Sequence, residues 1–487
     1  MSAAFLVASL VVALVARDQT ALRAAPEARA PRQAVLTQGD WLEVRGQRRD
    51  YLKVYDHRRE RPGFVHHSRV RQHRLDAASA PALRAILLFL RDQRGSEALG
   101  IGYAALYLKA APKSALDAEV FAALGKMSAR LAWRASRTVS PRHGLTLAAH
   151  LEVARHYGIR FKSDTRGDRT HLCYVGDAFR RVLAQKASPR LHAEAALQLT
   201  NKRCEKRPPG MREKVSVLAW SLGVLERVDP TTVAPYVGNR LRLRRSNVAA
   251  RLAYHWARLG ELDKARTASK GAHRAFLRVD HGNLSRGDTK RYGQAALLVA
   301  ANRWARGARA KAKTQTKTKR QTKTKTKTRS ISLAVEKGEK AGQTCVVLRQ
   351  RGQSKAVKRR CSYGLVWPSS IQLGPRSRQA TIAVQHLPGW LELWVFRRVG
   401  DGWLVDSVVP AATDPQLGYV EWAGWTPGGR DLLVAREAYV EGRLVRRFAA
   451  LRPANLTSRV QSRSLRHFVT FRRWHSAGWK AETLALR

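Results

Sequence analysis

A stretch of alternating lysine and threonine divides this chain and limits which parts of it can fold together. Residues 306–330 read RGARAKAKTQTKTKRQTKTKTKTRS and contain 11 basic and no acidic side chains. Such a segment buries too little apolar surface to offset the entropy of ordering it, and its like charges repel one another. The pattern therefore predicts an extended basic linker with separately folded regions on either side.

The 487 residues are too many for one hydrophobic core, and an apolar content of 44% is that of ordinary globular proteins. Composition changes along the chain, which predicts a multidomain α+β protein. We expect a signal peptide at 1–16, a flexible leader at 17–33, a small SH3-like β-barrel at 34–75, an α-helical hairpin-array domain at 76–305, the linker at 306–330 and an antiparallel β domain at 331–487.

The first residues indicate export. Ala3–Ala16 form an almost wholly apolar stretch that is followed directly by Arg17 and Asp18. Its length suits the apolar part of a signal peptide and is short of the ~20 residues that span a bilayer. An uncleaved anchor is the alternative. No other segment approaches a transmembrane span, so the sequence predicts a periplasmic or secreted protein.

Short alternating runs follow. Leu42 and Val44 share one face of a predicted strand, and Leu52 and Val54 share one face of the next. The segments GDWLEVRG, YLKVYD, RPGFV and SRVR resemble a bacterial SH3-like domain, in which a glycine-aromatic-valine step leads into the last strand. The resemblance covers roughly residues 35–75. It implies an exported module that either binds cell-wall peptides or positions a neighbouring domain.

The opposite face of these strands is the candidate contact surface. The two-residue period places Trp41, Tyr51, Lys53 and Tyr55 away from the predicted barrel core. Exposed Trp and Tyr rings beside a cation form a suitable groove for a peptide or glycan chain. The alternative is that these rings pack against the leader or the helical domain.

Residues 76–305 carry apolar side chains at helical spacing, for example in 80–93, 114–136, 190–200 and 214–228. Within this region Ala253–Ala272 resembles a tetratricopeptide-type helical hairpin, with Gly260 at the turn between two helices. The next copy expected one repeat earlier is not found. We therefore predict an array of helical hairpins that resembles such repeats and presents a protein-binding surface.

Residues 331–487 hold eight of the 13 tryptophans and consist of short β-branched or aromatic runs between turn residues. Gly424–Leu451 resembles one blade of a TolB-type β-propeller, whose blades open on a Trp-Ser-Pro-Asp-Gly-like step. Here Trp425–Gly429 occupies that step without the aspartate. Gly364–Pro410 predicts a second blade. Because the region is too short for a closed propeller, we expect an open or sandwiched antiparallel sheet.

Four cysteines support an oxidising compartment, although they permit three pairings. Pairing within regions favours Cys173–Cys204 and Cys345–Cys361. Four unlinked thiols are the alternative, and Cys173 beside His171 could then serve as a nucleophile.

Motifs of known catalytic chemistry are missing from the sequence, which contains no HExxH, GxSxG or P-loop. Gly100–Ala105 matches a degenerate dinucleotide fingerprint, but it lies in a helical context, so we interpret its glycines as helix-packing residues. His57, His66, His67 and His73 lack acidic or cysteine partners at ligand spacing. The sequence thus predicts no enzyme, no cofactor and no metal site.

The net charge of +55 favours contact with a polyanion, such as nucleic acid, an acidic wall polymer or an anionic membrane surface. The linker at 306–330 supplies only 11 of these charges. A nucleic-acid reader more often concentrates charge on one element, so nucleic acid is the less favoured partner. The sequence predicts an exported, non-enzymatic binding or scaffolding protein that contacts cell wall or an envelope protein. The alternatives are a nucleic-acid-binding protein, an unrecognised cell-wall hydrolase and a purely structural module.

Overall fold

The computed structural model describes residues 10–138, 140–166, 169–205, 208–307, 331–353, 355–410, 417–440 and 443–483. The chain divides into two compact units, Met1–Lys206 and Arg207–Arg487, called here the first and second units. Most of the predicted linker, residues 308–330, lies outside the described residues, as do residues 1–9 of the predicted signal peptide. The predicted order of a β region, a helical region and a second β region is confirmed in outline.

The first unit begins with a seven-stranded antiparallel sheet in the order β3-β2-β6-β5-β4-β1-β7. Its strands are β1 (Val11–Val15), β2 (Thr20–Arg23), β3 (Arg32–Leu36), β4 (Trp41–Arg48), β5 (Tyr51–Asp56), β6 (Arg61–His66) and β7 (Val70–Arg74). Leu36 of one edge strand and Val70 of the other belong to the same buried cluster as Leu42, Leu52 and Val54. The sheet therefore curves around a single small core.

The boundaries predicted at the N-terminus differ from this structure. Strand β1 lies between β4 and β7 and pairs with both, although we assigned residues 1–16 to a signal peptide. Strands β2 and β3 begin within 17–33, which we expected to be a flexible leader. The sheet thus has seven strands from Val11 onward, where the SH3-like resemblance accounted only for residues 35–75.

The physical reason is that β1 is buried on both faces. Ala13 and Val15 enter the core of the sheet, whereas Val12 and Leu14 enter the neighbouring helical core. A strand that is covered on both sides is a continuous apolar run without alternation. Such a run has the composition of a signal-peptide core, so composition alone could not distinguish the two.

Six α-helices and a β-hairpin complete the described part of the first unit. They are α1 (Ala80–Arg91), α2 (Glu97–Ala110), α3 (Ala118–Ala135), α4 (Pro141–His156), β8 (Phe161–Arg166), β9 (Arg169–Tyr174), α5 (Asp177–Ala184) and α6 (Pro189–Leu199). The hairpin β8–β9 corrects the expectation of helix throughout 76–305. The helical region is also not one domain, because α1 to α6 belong to the first unit and the later helices to the second.

The fingerprint-like glycines lie in α2, as interpreted from the sequence. A methyl group on Gly102 would approach the carbonyl oxygen of Gly39 and the Cδ1 atom of Leu14 to 3.0 Å each. Gly102 therefore lets α2 pack closely against the turn that precedes β4 and against β1. The motif serves helix–sheet packing and forms no phosphate-binding turn.

The second unit starts with α7 (Met211–Glu226), α8 (Pro235–Arg258), α9 (Leu262–Leu277) and α10 (Arg286–Ala301). Helices α8 and α9 form the predicted hairpin. Gly260 makes the turn with a φ of +80°, a conformation that glycine adopts without strain. Ala253, Ala265 and Ala272 are at most 1% exposed, so these small side chains allow the two helices to pack closely.

Two β-sheets follow α10 along the chain. A three-stranded sheet contains β10 (Ile331–Lys337), β11 (Thr344–Gln350) and β12 (Lys358–Ser362). The larger sheet contains β13 (Leu365–Leu373), β14 (Gln379–Leu387), β15 (Trp390–Val399), β16 (Gly402–Val408), β17 (Gly418–Trp425), β18 (Leu432–Val440), β19 (Arg443–Leu451) and β20 (Ser458–Ser462). Two short helices, α11 (Val469–Trp474) and α12 (Ala477–Glu482), close the described part of the unit.

The larger sheet consists of two four-stranded antiparallel meanders, β13–β16 and β17–β20. They are joined by a parallel contact in which Trp390 pairs with Gly418 and Leu391 with Tyr419. The region is therefore a mixed sheet, where we expected an antiparallel one. The first meander falls within the predicted blade at 364–410, and the second is longer at both ends than the predicted blade at 424–451.

Both predicted disulfides are present. Cys173 of β9 is bonded to Cys204, and Cys345 of β11 is bonded to Cys361, its register partner on β12. Each bridge closes a loop within one unit, as the economical pairing required. Cys173 is thus not a free nucleophile. No helix in the described parts of the chain is both long and apolar enough to cross a membrane.

Candidate functional site

The candidate contact surface is the outward side of β5 and β6. Leu52 and Val54 point into the sheet core and are at most 1% exposed, so their neighbours Tyr51, Lys53 and Tyr55 point away from it. On β6, Phe64 and His66 alternate with buried Gly63 and Val65 in the same way. We call Tyr51, Lys53, Tyr55, Phe64 and His66 the aromatic face. Three of the four sequence-predicted contact residues belong to it.

The register between the strands places these side chains in pairs. Tyr51 lies opposite His66, and their rings meet edge to face with centroids 5.2 Å apart. Lys53, which is exposed, lies opposite the partly exposed Phe64. The His66 ring in turn stacks on His67 at 4.8 Å. Lys53 is therefore surrounded by aromatic residues. Tyr51 and Tyr55 flank it along β5, and Phe64 lies opposite it on β6.

At the other end of β5, Tyr55 carries a second cation. The guanidinium carbon of Arg45 lies 4.2 Å from the centre of the Tyr55 ring, a distance typical of a cation–π contact. His57 meets the same ring edge to face at 4.9 Å. Tyr55 is thus held from two sides, which fixes its orientation at the surface.

A single carboxylate, Glu43, accepts hydrogen bonds from both side chains that contact Tyr55. Arg45 donates from Nε to Oε1 of Glu43 over 2.9 Å, and His57 donates from Nε2 to Oε2 over 2.6 Å. These hydrogen bonds, from Arg45 and then from His57, lower the pKa of Glu43. Glu43 therefore remains ionised under mildly acidic conditions and keeps Arg45 positioned over Tyr55.

Trp41 belongs to a different environment from the other three predicted residues. Its ring stacks on His57 with centroids 5.4 Å apart, but it also packs against the helical core of the first unit. The ammonium of Lys109, from α2, lies 4.5 Å from the ring centre. For Trp41 the structure thus agrees with the alternative weighed from the sequence, packing against helices, and the ring only borders the aromatic face.

Sequence reasoning missed Arg45, His57, Phe64, His66 and Lys109. The alternation along β6 was a signal for Phe64 and His66, because Gly63 and Val65 occupy the inward positions. His57 and Lys109 had no such signal, since a loop residue and a residue of α2 reach the strands only in three dimensions.

The arrangement offers both apolar surface and positive charge to a ligand. Flat rings offer apolar faces to sugar rings or peptide planes, and Arg45 and Lys53 offer positive charge to carboxylates. The described residues contain no group of three His, Cys, Asp or Glu side chains that could hold a metal ion.

The chain matches no protein-family model, no curated protein and no solved structure.

Proposed function

We propose that the protein is an exported, non-enzymatic binding protein of the bacterial envelope. Its N-terminal sheet acts as an SH3-like module that binds cell-wall material through the aromatic face. The observation that carries this proposal is the row of Tyr51, Lys53 and Tyr55 on the uncovered side of β5, with Arg45 fixed over Tyr55.

The chemistry of the face suits a wall polymer of sugars and short acidic peptides. Tyrosine rings contribute contact area at low conformational entropy cost, because each has only two rotatable side-chain bonds. Lys53 and Arg45 attract carboxylates, and the overall charge of +55 favours association with an anionic matrix. The basic linker at 306–330, which lies largely outside the described residues, would add a nonspecific polyanion contact.

The two disulfides support the export part of the proposal. Disulfides persist in oxidising compartments such as the periplasm or the extracellular space and are rare in the cytosol. Cys173 and Cys345 are both buried, so each bridge forms part of a packed core. Helices α8 and α9 would then serve as a scaffold for an envelope partner.

The test is retention of the full-length, tagged and oxidised chain on insoluble cell-wall material and on DNA, each at two salt concentrations. The wild type is compared with a Tyr51→Ala/Tyr55→Ala double variant and with Lys53→Ala. A matched control is Arg74→Ala, because Arg74 is an exposed cation on β7 of the same sheet. Wall retention should fall at least tenfold in the double variant and remain unchanged in the control.

Three results would each overturn the proposal or its assignment of the binding surface. Steep, salt-sensitive retention on DNA alone, together with a cytosolic pool, would indicate the nucleic-acid-binding alternative. Degradation of purified wall material that is abolished by one acidic substitution would indicate the hydrolase. Equal wall retention of the wild type and the tyrosine double variant would exclude the aromatic face as the binding surface.

A further inference from the structure

We propose that Arg436 and Arg447 form an oxyanion-binding site on the β17–β20 meander of the second unit. The two residues are direct register partners on β18 and β19. Opposite residues on antiparallel strands have Cβ atoms about 5 Å apart and point to the same face. The sheet therefore presents two guanidinium groups side by side.

Both arginines lack the partners that arginine usually has when partly buried. The Nε atoms of Arg436 and Arg447 are buried without a hydrogen-bond acceptor. Among the described residues, neither side chain forms a hydrogen bond or an ion pair, whereas most other half-buried arginines in this chain do. The pair thus has unused donors of fixed geometry.

The carboxylate nearest to Arg436 in the sequence, Glu437, lies on the face of the sheet opposite to the arginine pair. Glu437 follows Arg436 and therefore points to the opposite face by the two-residue period. There it accepts a hydrogen bond from the hydroxyl of Tyr419 over 2.8 Å and pairs with Arg446. Glu437 is committed to these two partners and cannot neutralise the arginine pair.

Two like charges directly opposite each other destabilise a sheet, and partial burial increases the cost. Burial and, after it, the positive charge of Arg447 lower the pKa of Arg436. An anion between the two guanidinium groups would reduce both their mutual repulsion and the cost of burying them without a partner. Guanidinium groups bind carboxylates and phosphates with paired hydrogen bonds, so the ligand is an oxyanion of either class.

A neutral donor lies next to the pair. Trp422 of β17 is the register partner of Val434, two residues before Arg436, which makes it a diagonal neighbour of that arginine. Its indole nitrogen is also buried without an acceptor. Val434 and Ala449, which lie two residues away from the arginines along their strands, are apolar and buried and close the site on that side.

The experiment uses the full-length, oxidised chain and measures its thermal midpoint and its binding heat with inorganic phosphate. The same measurements with acetate test for carboxylate binding. Chloride at matched ionic strength controls for nonspecific screening of charge. The variants are Arg436→Gln and Arg447→Gln. The matched control is Arg430→Gln, because Arg430 is an exposed arginine that precedes β18. Arg447→Lys keeps the charge but removes the fork of donors.

We expect phosphate, acetate or both to stabilise the wild type and Arg430→Gln beyond chloride, with the stronger of the two identifying the ligand class. Affinity should fall about tenfold or more in each Gln variant, as expected for the loss of a charge-assisted hydrogen-bonding group. Arg447→Lys should bind with intermediate affinity. Without added oxyanion, Arg447→Gln should unfold at a higher temperature than the wild type, because the repulsion is relieved.

The proposal is overturned if neither phosphate nor acetate stabilises the wild type more than chloride does. It is also overturned if the stabilisation is equal in the wild type, Arg436→Gln and Arg447→Gln. Should Arg447→Gln fail to fold, the comparison of Arg447→Lys with the wild type decides the same question. Wall retention is measured separately, so this result and that for the aromatic face are independent.

Discussion

Val12 and Ala13 are consecutive residues of one strand, yet their side chains enter two different hydrophobic cores. Val12 packs in the core formed with α1, α2 and α3, and Ala13 packs inside the curved sheet. Both are 0% exposed. Strand β1 therefore couples the sheet to the helices of the first unit.

A first prediction concerns Leu14, which is fully buried in the helical core next to Gly102. Leu14→Ala should lower the free energy of unfolding of the first unit by about 2–5 kcal/mol, through lost apolar contacts and the cavity that remains. Urea unfolding of the purified chain measures this. Leu10→Ala is the control, because Leu10 is 42% exposed and its change should stay within about 0.5 kcal/mol.

Removal of residues 1–16 is a second test of the same strand. This truncation deletes β1 and leaves β4 and β7 without the partner between them. We expect the first unit not to fold, as judged by circular dichroism and hydrogen exchange. A stable first unit after truncation at 16 would show that β1 is dispensable.

Glu97 gives a third prediction. Its side chain is 0% exposed and pairs with Arg130 and Arg134. Glu97→Gln leaves two arginines without their carboxylate and should cost about 3–5 kcal/mol. Glu119→Gln is a matched control on α3 of the same unit, because the Glu119 side chain is 37% exposed where it pairs with Arg84 and should contribute below about 1 kcal/mol. A similar loss of unfolding free energy in Glu97→Gln and Glu119→Gln would contradict this prediction.

The contact between Asp18 and His150 predicts a dependence on pH. Burial alone would raise the pKa of Asp18, but hydrogen bonds from His150 and from the Gln38 backbone outweigh it and lower the pKa below the ordinary 3.8. The group therefore stabilises the fold above the unfolded pKa, and this contribution is lost as the pH falls through the lowered value.

Asp18→Asn should accordingly be less stable than the wild type at pH 7, and the difference should shrink below about pH 4. Urea midpoints at pH 7, 5 and 3 measure this. Asp50→Asn, at a side chain that is 73% exposed, is the control and should show little difference at any pH. A constant difference between Asp18→Asn and the wild type across this range would contradict the assignment.

The disulfides give a fifth prediction. Replacing Cys173 and Cys204 by Ala should destabilise the first unit by about 3 kcal/mol, because the bridge restricts the unfolded chain. Replacing Cys345 and Cys361 should have an effect of similar size on the second unit. Hydrogen exchange distinguishes the units. Reductant should destabilise the wild type in both units and each variant only in the unit that retains its bridge.

Sequence patterns were sufficient where one local rule decided the outcome. The turn at Gly260, the helices near 80–93 and 190–200 and the inward positions of Leu52 and Val54 followed from periodicity and from glycine. The cysteine pairing followed from the position of each pair within one region of the chain. The outward positions of Tyr51, Lys53 and Tyr55 followed from the same two-residue period.

Patterns failed where a residue's role depends on a distant partner. The hairpin β8–β9 lies in a region of helical composition, and the parallel pairing of β15 with β17 has no local signal. The contact of Trp41 with Lys109 could not be predicted either, because β5, β6, β7 and α1 separate β4 from α2 along the chain.

The amino-acid sequence by itself determined the local elements, the charge, the cysteine pairing favoured over its alternatives and the faces of β4 and β5. Only the tertiary structure decided that Val11–Val15 is a central strand and that Arg436 faces Arg447 with no carboxylate between them. The spacing of apolar and polar residues depends only on neighbours along the chain. Burial on two sides and opposition across strands depend on elements that meet only when the chain folds.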